Sequence, residues 1–323
     1  MSATDSATGL PRFEGYPKGW FVIGFSDEYG PGDVQKLQYF GQALVAFRDD
    51  TGTLQVKDGY CPHLGAHLGA GGKVEGTCIR CPFHHWLFAQ DGRCVEIPYT
   101  DRRIPKKAIL RPWTVREQDG LIYLWHHPEH TEPEFDLPVI PRSEGDWLPW
   151  RHHRLRLATH SREIVENVVD IAHFKYVHGT HVERFENRFE GHKAIQINHG
   201  TAYPRGGGKD RFALEATYFG PGVQISDMRG VLHSVLVNAH TMIDEHTLDL
   251  RFGVSLRPTG HEEQTARIAE QYIDNLTQGF LEDVEIWENK TFRELPLLCA
   301  HDGPIMKLRA WYAQFYAPYP EVP

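Results

Sequence analysis

The chain has no apolar run long enough to cross a membrane, no excess of positive charge and few cysteines. A spanning helix would need about 20 apolar residues. The net charge of −9 argues against a nucleic-acid binder, because such proteins neutralise phosphates with lysine and arginine. The five cysteines are an odd number, and the first residues lack the basic and apolar regions of a signal peptide. We therefore expect a reduced, cytoplasmic globular protein.

Composition divides the 323 residues into three segments. Residues 1–16 are expected to form a disordered lead-in. Residues 17–127 contain short runs of β-branched and aromatic residues, which predict a small all-β domain. A proline-rich acidic stretch then leads into residues 128–323, where two helical patterns, Arg162–Val177 and Gln264–Thr291, enclose strand-like sequence. The predicted fold is α+β: an all-β domain followed by an antiparallel sheet with helices.

A first motif, CPHLGAHLGAGGKVEGTCIRCPFHHW, brings two cysteines and two histidines together in sequence. Two thiolates and two imidazoles are a common tetrahedral zinc set. However, Cys61-x-His63 and Cys81-x-x-His84 each pair one thiolate with one imidazole, which favours a [2Fe–2S] cluster of the Rieske type. A redox dithiol of Cys78 and Cys81 has the required spacing but not the βαβ surroundings.

The motif resembles the Rieske signature of ring-hydroxylating and steroid oxygenases. Respiratory-chain Rieske proteins carry an additional cysteine in each loop, where this sequence has Ala66 and Phe83. His85 departs from the glycine or aspartate that follows the second histidine in most relatives. The resemblance implies a [2Fe–2S] cluster, and the residues that it implies as ligands are Cys61, His63, Cys81 and His84.

A second motif, REIVENVVDIAHFKYVHG, holds two histidines five residues apart. On a regular helix, His173 and His178 would lie about 140° apart, so they share a metal only if the helix ends or widens between them. Asp170 and His173 would share a face. Two solvent-facing or core histidines would explain the spacing equally well.

The later helical pattern supplies a carboxylate for such a site. Asp283 lies within its apolar stripe, where a carboxylate is costly unless it is paired or bound to metal. We therefore consider Asp283 a metal ligand or a buried ion-pair partner. The neighbouring acids are expected on a solvated face, and they are Glu282, Glu285 and Glu288. Two histidines and one carboxylate would match the ligand set of non-haem iron(II) oxygenases.

E-N-x-x-D-x-x-H-x-x-x-x-H resembles the mononuclear-iron motif of Rieske non-haem iron oxygenases. The similarity runs from about Gly19 to Tyr316 and is strongest to the family that includes 3-ketosteroid 9α-hydroxylases and cholesterol 7-desaturases. It implies three iron ligands, an acidic bridge between the two metal sites and a residue near the substrate. The residues in these roles are His173, His178 and Asp283 as ligands, Asp170 as the bridge and Asn238 near the substrate.

The resemblance further implies a monooxygenase component that hydroxylates a large polycyclic, steroid-like substrate with dioxygen. Electrons would come from NAD(P)H through a flavin-containing iron–sulfur reductase or a ferredoxin, and a homotrimer is expected. A sterol desaturase or a demethylase uses the same iron chemistry. An alternative of another class is a non-catalytic electron carrier with a lipid-binding domain. A zinc-stabilised nucleic-acid binder is disfavoured by the charge.

Overall fold

The computed structural model describes residues 13–142, 147–203, 208–258 and 262–316. No helix in these ranges is long and apolar enough to cross a membrane. The chain forms two compact units. The smaller unit comprises Val22–His126 and Met242–Glu245, and the larger unit comprises the described parts of Met1–Phe21, His127–Thr241 and His246–Pro323.

The strands of the smaller unit are short and antiparallel, and they form three sheets. One sheet has the order β1-β11-β10, the second β2-β3-β4-β9 and the third β5-β6-β7-β8. A 3-10 turn at Ser26–Glu28 follows the first strand. The strands are β1 (Gly19–Phe25), β2 (Val34–Tyr39), β3 (Gln42–Arg48), β4 (Leu54–Asp58), β5 (Lys73–Glu75), β6 (Cys78–Arg80), β7 (Leu87–Phe88), β8 (Cys94–Glu96), β9 (Pro112–Trp113), β10 (Val115–Gln118) and β11 (Leu121–His126).

The larger unit is built on a seven-stranded antiparallel sheet with the order β12-β18-β17-β16-β15-β14-β13. Four helices accompany this sheet, and a 3-10 turn at Glu166–Val168 lies between the first two. The elements are β12 (Arg151–Leu157), α1 (Ser161–Val165), α2 (Ala172–Tyr176), β13 (His181–Glu190), β14 (Lys193–Ala202), β15 (Asp210–Phe219), β16 (Val223–Arg229), β17 (His233–Met242), β18 (Leu248–Leu256), α3 (Glu262–Asn289) and α4 (Ile305–Ala313).

The long helix α3 packs on this sheet through the apolar stripe that the sequence predicts. Tyr272, Ile273, Leu276 and Phe280 lie against a cluster of buried side chains that includes Phe252 of β18. The rings of Phe280 and Phe252 stack with their centroids 4.7 Å apart. Burial of such aromatic surface contributes about 25 cal/mol per Å². This packing fixes the face of α3 that points into the unit.

The single helix predicted over Arg162–Val177 is wrong, because the chain there is divided into α1, the 3-10 turn and α2. Val168, Val169 and Ile171 are β-branched and lose rotamer freedom in a helix. The side chain of Asp170 competes for backbone donors, since its Oδ1 accepts the amide protons of Ala172 and His173. The break places both histidines of the second motif on a short, separately oriented segment.

Part of the segment expected to be a disordered lead-in packs within the larger unit. Residues 1–12 lie outside the described residues. Phe13 is buried, and its ring lies within 5.7 Å of the ring centroids of Phe292, Tyr312 and Tyr316. Phe13 is therefore part of the core, although residues 1–16 were expected to be disordered.

Candidate metal centres and substrate cavity

Two loops of the smaller unit carry the Cys-x-His and Cys-x-x-His pairs, and a main-chain hydrogen bond of the same kind closes each loop. The Cys61 amide donates to the carbonyl oxygen of Ala66 (2.8 Å), and the Cys81 amide donates to that of Trp86 (2.9 Å). Each loop is thus closed five residues after its cysteine. Closure turns both cysteines inward, where they are buried among apolar side chains. The loops follow β4 and β6, whose pairing in separate sheets sets their positions.

The two histidines of these loops lie side by side. The rings of His63 and His84 have centroids 4.7 Å apart, and His63 stacks on Trp86 at 4.6 Å with an interplanar angle of 9°. Trp86 is itself held by a 2.7 Å hydrogen bond from its Nε1 to the hydroxyl of Tyr99. Packing against the anchored Trp86 therefore orients the His63 imidazole.

Burial raises the pKa of the Cys61 thiol to about 12, and the nearby Cys81 thiol adds to the increase. Without a positive partner, two adjacent buried thiolates would be strongly disfavoured. Ferric or ferrous iron supplies that positive charge. Buried thiols beside two paired imidazoles therefore fit a Rieske [2Fe–2S] cluster.

His85, which differs from the residue usual in relatives, has a left-handed backbone conformation. Its φ is +60°, and Gly65 at the equivalent position of the first loop has φ +74°. A side chain is strained in this left-handed conformation, whereas glycine is not. The His85 carbonyl accepts a 2.8 Å hydrogen bond from Arg80, which also pairs with Glu75 and Glu96. An anchored arginine thus holds the second loop in shape.

In the larger unit, the structure brings His173, His178 and Asp283 together. One ligand atom from each residue lies within 4.8 Å of the others, and this triad is the only such group of histidine, cysteine or acidic side chains in the described part of the chain. His178 Nε2 lies 3.3 Å from Asp283 Oδ2. Asp283 is buried, as its place in the apolar stripe of α3 predicts. The spacing suits one metal ion with open positions.

The end of α2 explains how two histidines five residues apart converge. The His178 amide bonds back to the carbonyl oxygen of His173, five residues earlier (3.4 Å), as in a widened π-type turn. Gly179 then adopts φ +61°, a left-handed conformation typical of helix ends. The helix therefore both widens and ends there, which brings the imidazole rings to 5.3 Å between centroids.

The surroundings of His173 favour a neutral imidazole in a fixed orientation. Burial lowers its pKa, and the charges of Asp283 and Asp170 only partly oppose this. Its Nδ1 lies 2.5 Å from the main-chain carbonyl oxygen of Asp170. The Asp170 carboxylate is 4.0 Å away, so the backbone of Asp170, not its side chain, makes the hydrogen bond that orients the ring. The carboxylate caps α2 and is partly exposed, with 42% of its side chain accessible.

The triad lies in the wall of a cavity of about 630 Å³. This volume is within the range of about 300–1,000 Å³ found for pockets that bind small molecules. Much of the lining is apolar, including Ile164, Phe174, Leu214, Leu236, Leu276 and Phe280. The predicted substrate residue Asn238 is also in the lining, and its Nδ2 lies 3.5 Å from Gln224 Oε1.

Two polar residues of the cavity were missed by sequence reasoning. Gln196 on β14 is buried and lines the cavity, and its Nε2 has no hydrogen-bond partner among the described residues. Its period-2 position on a strand was the available signal. Glu282 also lines the cavity, although it was expected on a solvated face. Glu285 and Glu288 are exposed as expected, and Oε1 of Glu288 accepts the Ala158 amide proton.

Two family models match the chain. One, described as Rieske [2Fe-2S] domain, matches residues 19–114, and one, described as 3-Ketosteroid 9alpha-hydroxylase C-terminal domain, matches residues 124–316. A 3-ketosteroid-9-alpha-monooxygenase oxygenase component of Rhodococcus rhodochrous is 39% identical over 93% of this chain and 81% of that protein. The chain belongs to the 3-ketosteroid 9α-hydroxylase family. Membership confirms the predicted resemblance, the fold class and both iron cofactors, and it makes the chain a Rieske non-haem iron oxygenase.

Other relatives of the 3-ketosteroid 9α-hydroxylase family extend the comparison. The corresponding component of Mycobacterium tuberculosis is 36% identical over 98% of this chain and 87% of that protein. A cholesterol 7-desaturase of Caenorhabditis elegans is 30% identical over 93% of this chain and 77% of that protein. The fold is also that of dicamba monooxygenase bound to dicamba, with a TM-score of 0.77, 17% identity and coverage of 92% and 96% of the two chains.

Proposed function

We propose that the chain is the oxygenase component of a monooxygenase that hydroxylates a steroid-like, polycyclic substrate. In this proposal Cys61, His63, Cys81 and His84 hold the [2Fe–2S] cluster within a domain of residues 17–127. The catalytic domain is residues 128–323, and its iron ligands are His173, His178 and Asp283. When bound, the two iron centres supply one-electron transfer and dioxygen activation.

The observation that carries the proposal is the position of the triad in the wall of a largely apolar cavity. A C–H bond is oxidised only where substrate and metal share a space from which bulk water is excluded. Apolar walls favour a hydrocarbon skeleton, because burying apolar surface is the main favourable term in such binding. Phe252 and Phe280 both line the cavity and contribute aromatic surface to its apolar wall.

Polar groups in the same cavity support a ketone-bearing substrate. Gln196 offers a buried amide donor at Nε2, and a carbonyl oxygen is the complementary acceptor. A buried donor left without a partner costs about 1–3 kcal/mol. A substrate that accepts this hydrogen bond should therefore bind more tightly than one that lacks the acceptor. We assign Asn238 to the same wall as a second polar contact with substrate.

Asp170 is proposed as the acidic bridge through which electrons reach the iron site. Its carboxylate is partly exposed while its backbone carbonyl holds His173, so one residue faces both outward and toward the ligand. We also propose a homotrimer, a cytoplasmic location and a separate flavin-containing iron–sulfur reductase or ferredoxin fed by NAD(P)H. The name oxygenase component, carried by the relatives, supports the separate reductase.

The test is oxygen uptake by the iron-loaded protein with a reductase of this enzyme class, NADH and a panel of substrates. The panel pairs each 3-ketosteroid with its 3-deoxy analogue and includes planar polycyclic hydrocarbons. We expect uptake coupled to a product heavier by one oxygen atom, with the ketone preferred over its deoxy analogue. If no steroid raises the rate of oxygen uptake above the rate measured without substrate, the proposed substrate class is wrong.

A desaturase is the second candidate, because a cholesterol 7-desaturase is 30% identical over most of this chain. Hydroxylation and desaturation share the cavity and the metal ligands, so product mass separates them. A product lighter by two hydrogen atoms in the same assay would replace hydroxylation by desaturation and leave the iron sites unchanged.

A further inference from the structure

The two ring nitrogens of His178 face two different carboxylates of helix α3. Nε2 lies 3.3 Å from Oδ2 of Asp283, and Nδ1 lies 3.6 Å from Oε2 of Glu282. The residues are adjacent in sequence, so one turn of one helix presents a carboxylate to each side of the imidazole ring. Since Nε2 points toward the triad, Nδ1 is the nitrogen that remains for a partner outside it.

A second observation places Nδ1 against the same helix turn. A Cβ atom added at Gly279 would come within 3.9 Å of His178 Nδ1. Gly279 lies three residues before Glu282, so the two occupy neighbouring positions on the helix surface. The absence of a side chain at Gly279 lets the imidazole edge lie close to α3. Glu282 is only partly accessible, with 26% of its side chain exposed, and it lines the cavity.

The chemistry of metal-bound histidine assigns a role to such a carboxylate. A ligating imidazole almost always donates its other N–H to a carboxylate, a carbonyl group or water, which fixes the tautomer and raises the basicity of the ligating nitrogen. His173 has a main-chain carbonyl oxygen at its Nδ1, that of Asp170. His178 has an acidic side chain there instead, so the two imidazoles are supported differently.

We propose that Glu282 is the positioning residue for His178. Its Oε2 lies 3.6 Å from Nδ1, an ion-pair distance just beyond hydrogen-bond length. A small approach would let Glu282 accept the Nδ1–H of His178, which would present Nε2 to iron and make this imidazole the more electron-rich of the two. The inference rests on the proposed iron ligation by His178. Glu282 itself binds neither iron nor substrate. It acts through His178, and its negative charge beside the ring strengthens the bond to a divalent cation.

The experiment compares wild type with Glu282→Gln, Glu282→Ala, His178→Ala and the control Glu285→Gln. Glu285 is an exposed acid on the same helix, so its substitution removes the same charge without touching His178. Each protein is loaded with ferrous iron and dialysed against a graded chelator. The iron retained beyond the two irons per two acid-labile sulfides of the cluster is measured, and magnetic circular dichroism records the ligand-field bands of the ferrous site.

We expect Glu282→Gln to lose the additional iron at about 10-fold lower chelator concentration, and Glu282→Ala at up to about 100-fold lower. The ligand-field bands should shift in both, while the cluster spectrum stays unchanged and Glu285→Gln matches wild type. Wild-type retention and bands in both Glu282 variants would overturn the role of Glu282. If wild type and His178→Ala hold equal iron, the ligand assignment fails instead, so the two failures are distinguishable.

Discussion

The Nε2 atom of His178 lies 3.3 Å from Oδ2 of Asp283, although the two residues come from segments far apart in the chain. One follows the short helix α2 and the other lies in the middle of the apolar stripe of α3. A buried carboxylate beside an imidazole would be costly without compensation. A divalent cation between them would compensate both groups, which would connect the packing of α3 to the chemistry of the site.

Substitution of Asp283 by asparagine is expected to remove the mononuclear iron and leave the cluster. The carboxylate supplies the only anionic ligand of the triad, and without it we expect at least a 100-fold loss of steroid-dependent oxygen uptake. The ratio of total iron to acid-labile sulfide measures the loss. His181→Ala, which removes an exposed histidine three residues beyond the triad's second histidine, is the control and should retain the iron.

Asp170 has a capping role and a proposed bridging role, and two different substitutions are needed to distinguish them. Its Oδ1 caps α2, and its carboxylate is the proposed bridge. Asp170→Asn keeps a capping oxygen, so its unfolding free energy should match wild type, whereas Asp170→Ala should lose about 1 kcal/mol. We expect both to slow turnover by about 10–100-fold if the charge is needed. Full turnover in the stable Asp170→Asn protein would exclude the bridging role.

Replacement of Gln196 by leucine should change stability and activity in opposite directions. Removing a buried donor without a partner should stabilise the protein by about 1 kcal/mol, measured by urea unfolding. The same change removes the donor proposed for the substrate ketone, so kcat/KM for a 3-ketosteroid should fall about 10-fold. The deoxy analogue serves as the internal control and should lose little. Equal losses for both substrates would show that Gln196 does not recognise the carbonyl group.

His85→Gly should stabilise the smaller unit. A left-handed backbone costs a non-glycine residue about 1–2 kcal/mol, and the greater freedom of unfolded glycine offsets about 0.5–1 kcal/mol of the gain. The net increase in the free energy of unfolding is therefore up to about 1.5 kcal/mol, measured as a higher temperature for loss of the cluster's visible absorption. Gly65→Ala in the other loop is the matched opposite. No heavy atom lies within 4 Å of its new Cβ, so only backbone strain should lower that temperature.

Two histidines, the buried His240 and the half-buried His160, predict acid sensitivity of the larger unit. Burial lowers the pKa of His240 to about 3 and that of His160 to about 3. Below about pH 6.5 the unfolded chain binds protons that the folded chain does not, so stability falls as pH decreases from about 6.5 toward 3. Each histidine contributes about 1.4 kcal/mol per pH unit. His240→Gln should flatten the difference between urea midpoints at about pH 7 and about pH 5, and an unchanged difference would contradict the assignment.

Much of this architecture was predictable because the decisive signals are local. The strand runs and the position of Asp283 in an apolar stripe depend on residues close in sequence, and the structure has strands and a buried Asp283 at these positions. The break between α1 and α2 was not predicted. It depends on competition between side-chain capping by Asp170 and helix propensity, and the two are similar in energy.

The roles of Glu282 and Gln196 depend on tertiary placement. A helical wheel points Glu282 away from the apolar stripe, and only the path of the chain after α2 brings His178 beside it. Gln196 occupies one of the alternating buried positions of β14, and the cavity beside it is formed by strands and a helix distant in sequence. No single window of the sequence contains either relationship.

If residues in and just after α2 and a residue of α3 bind the same ion, the metal also affects the stability of the larger unit. A bound cation would act as a cross-link between a short loop-borne turn and a long helix, which would otherwise be tied only by side-chain contacts. Such a tether stabilises the segments that it joins by limiting their independent motion. Bound iron would therefore stabilise the wall of the cavity in addition to taking part in the reaction.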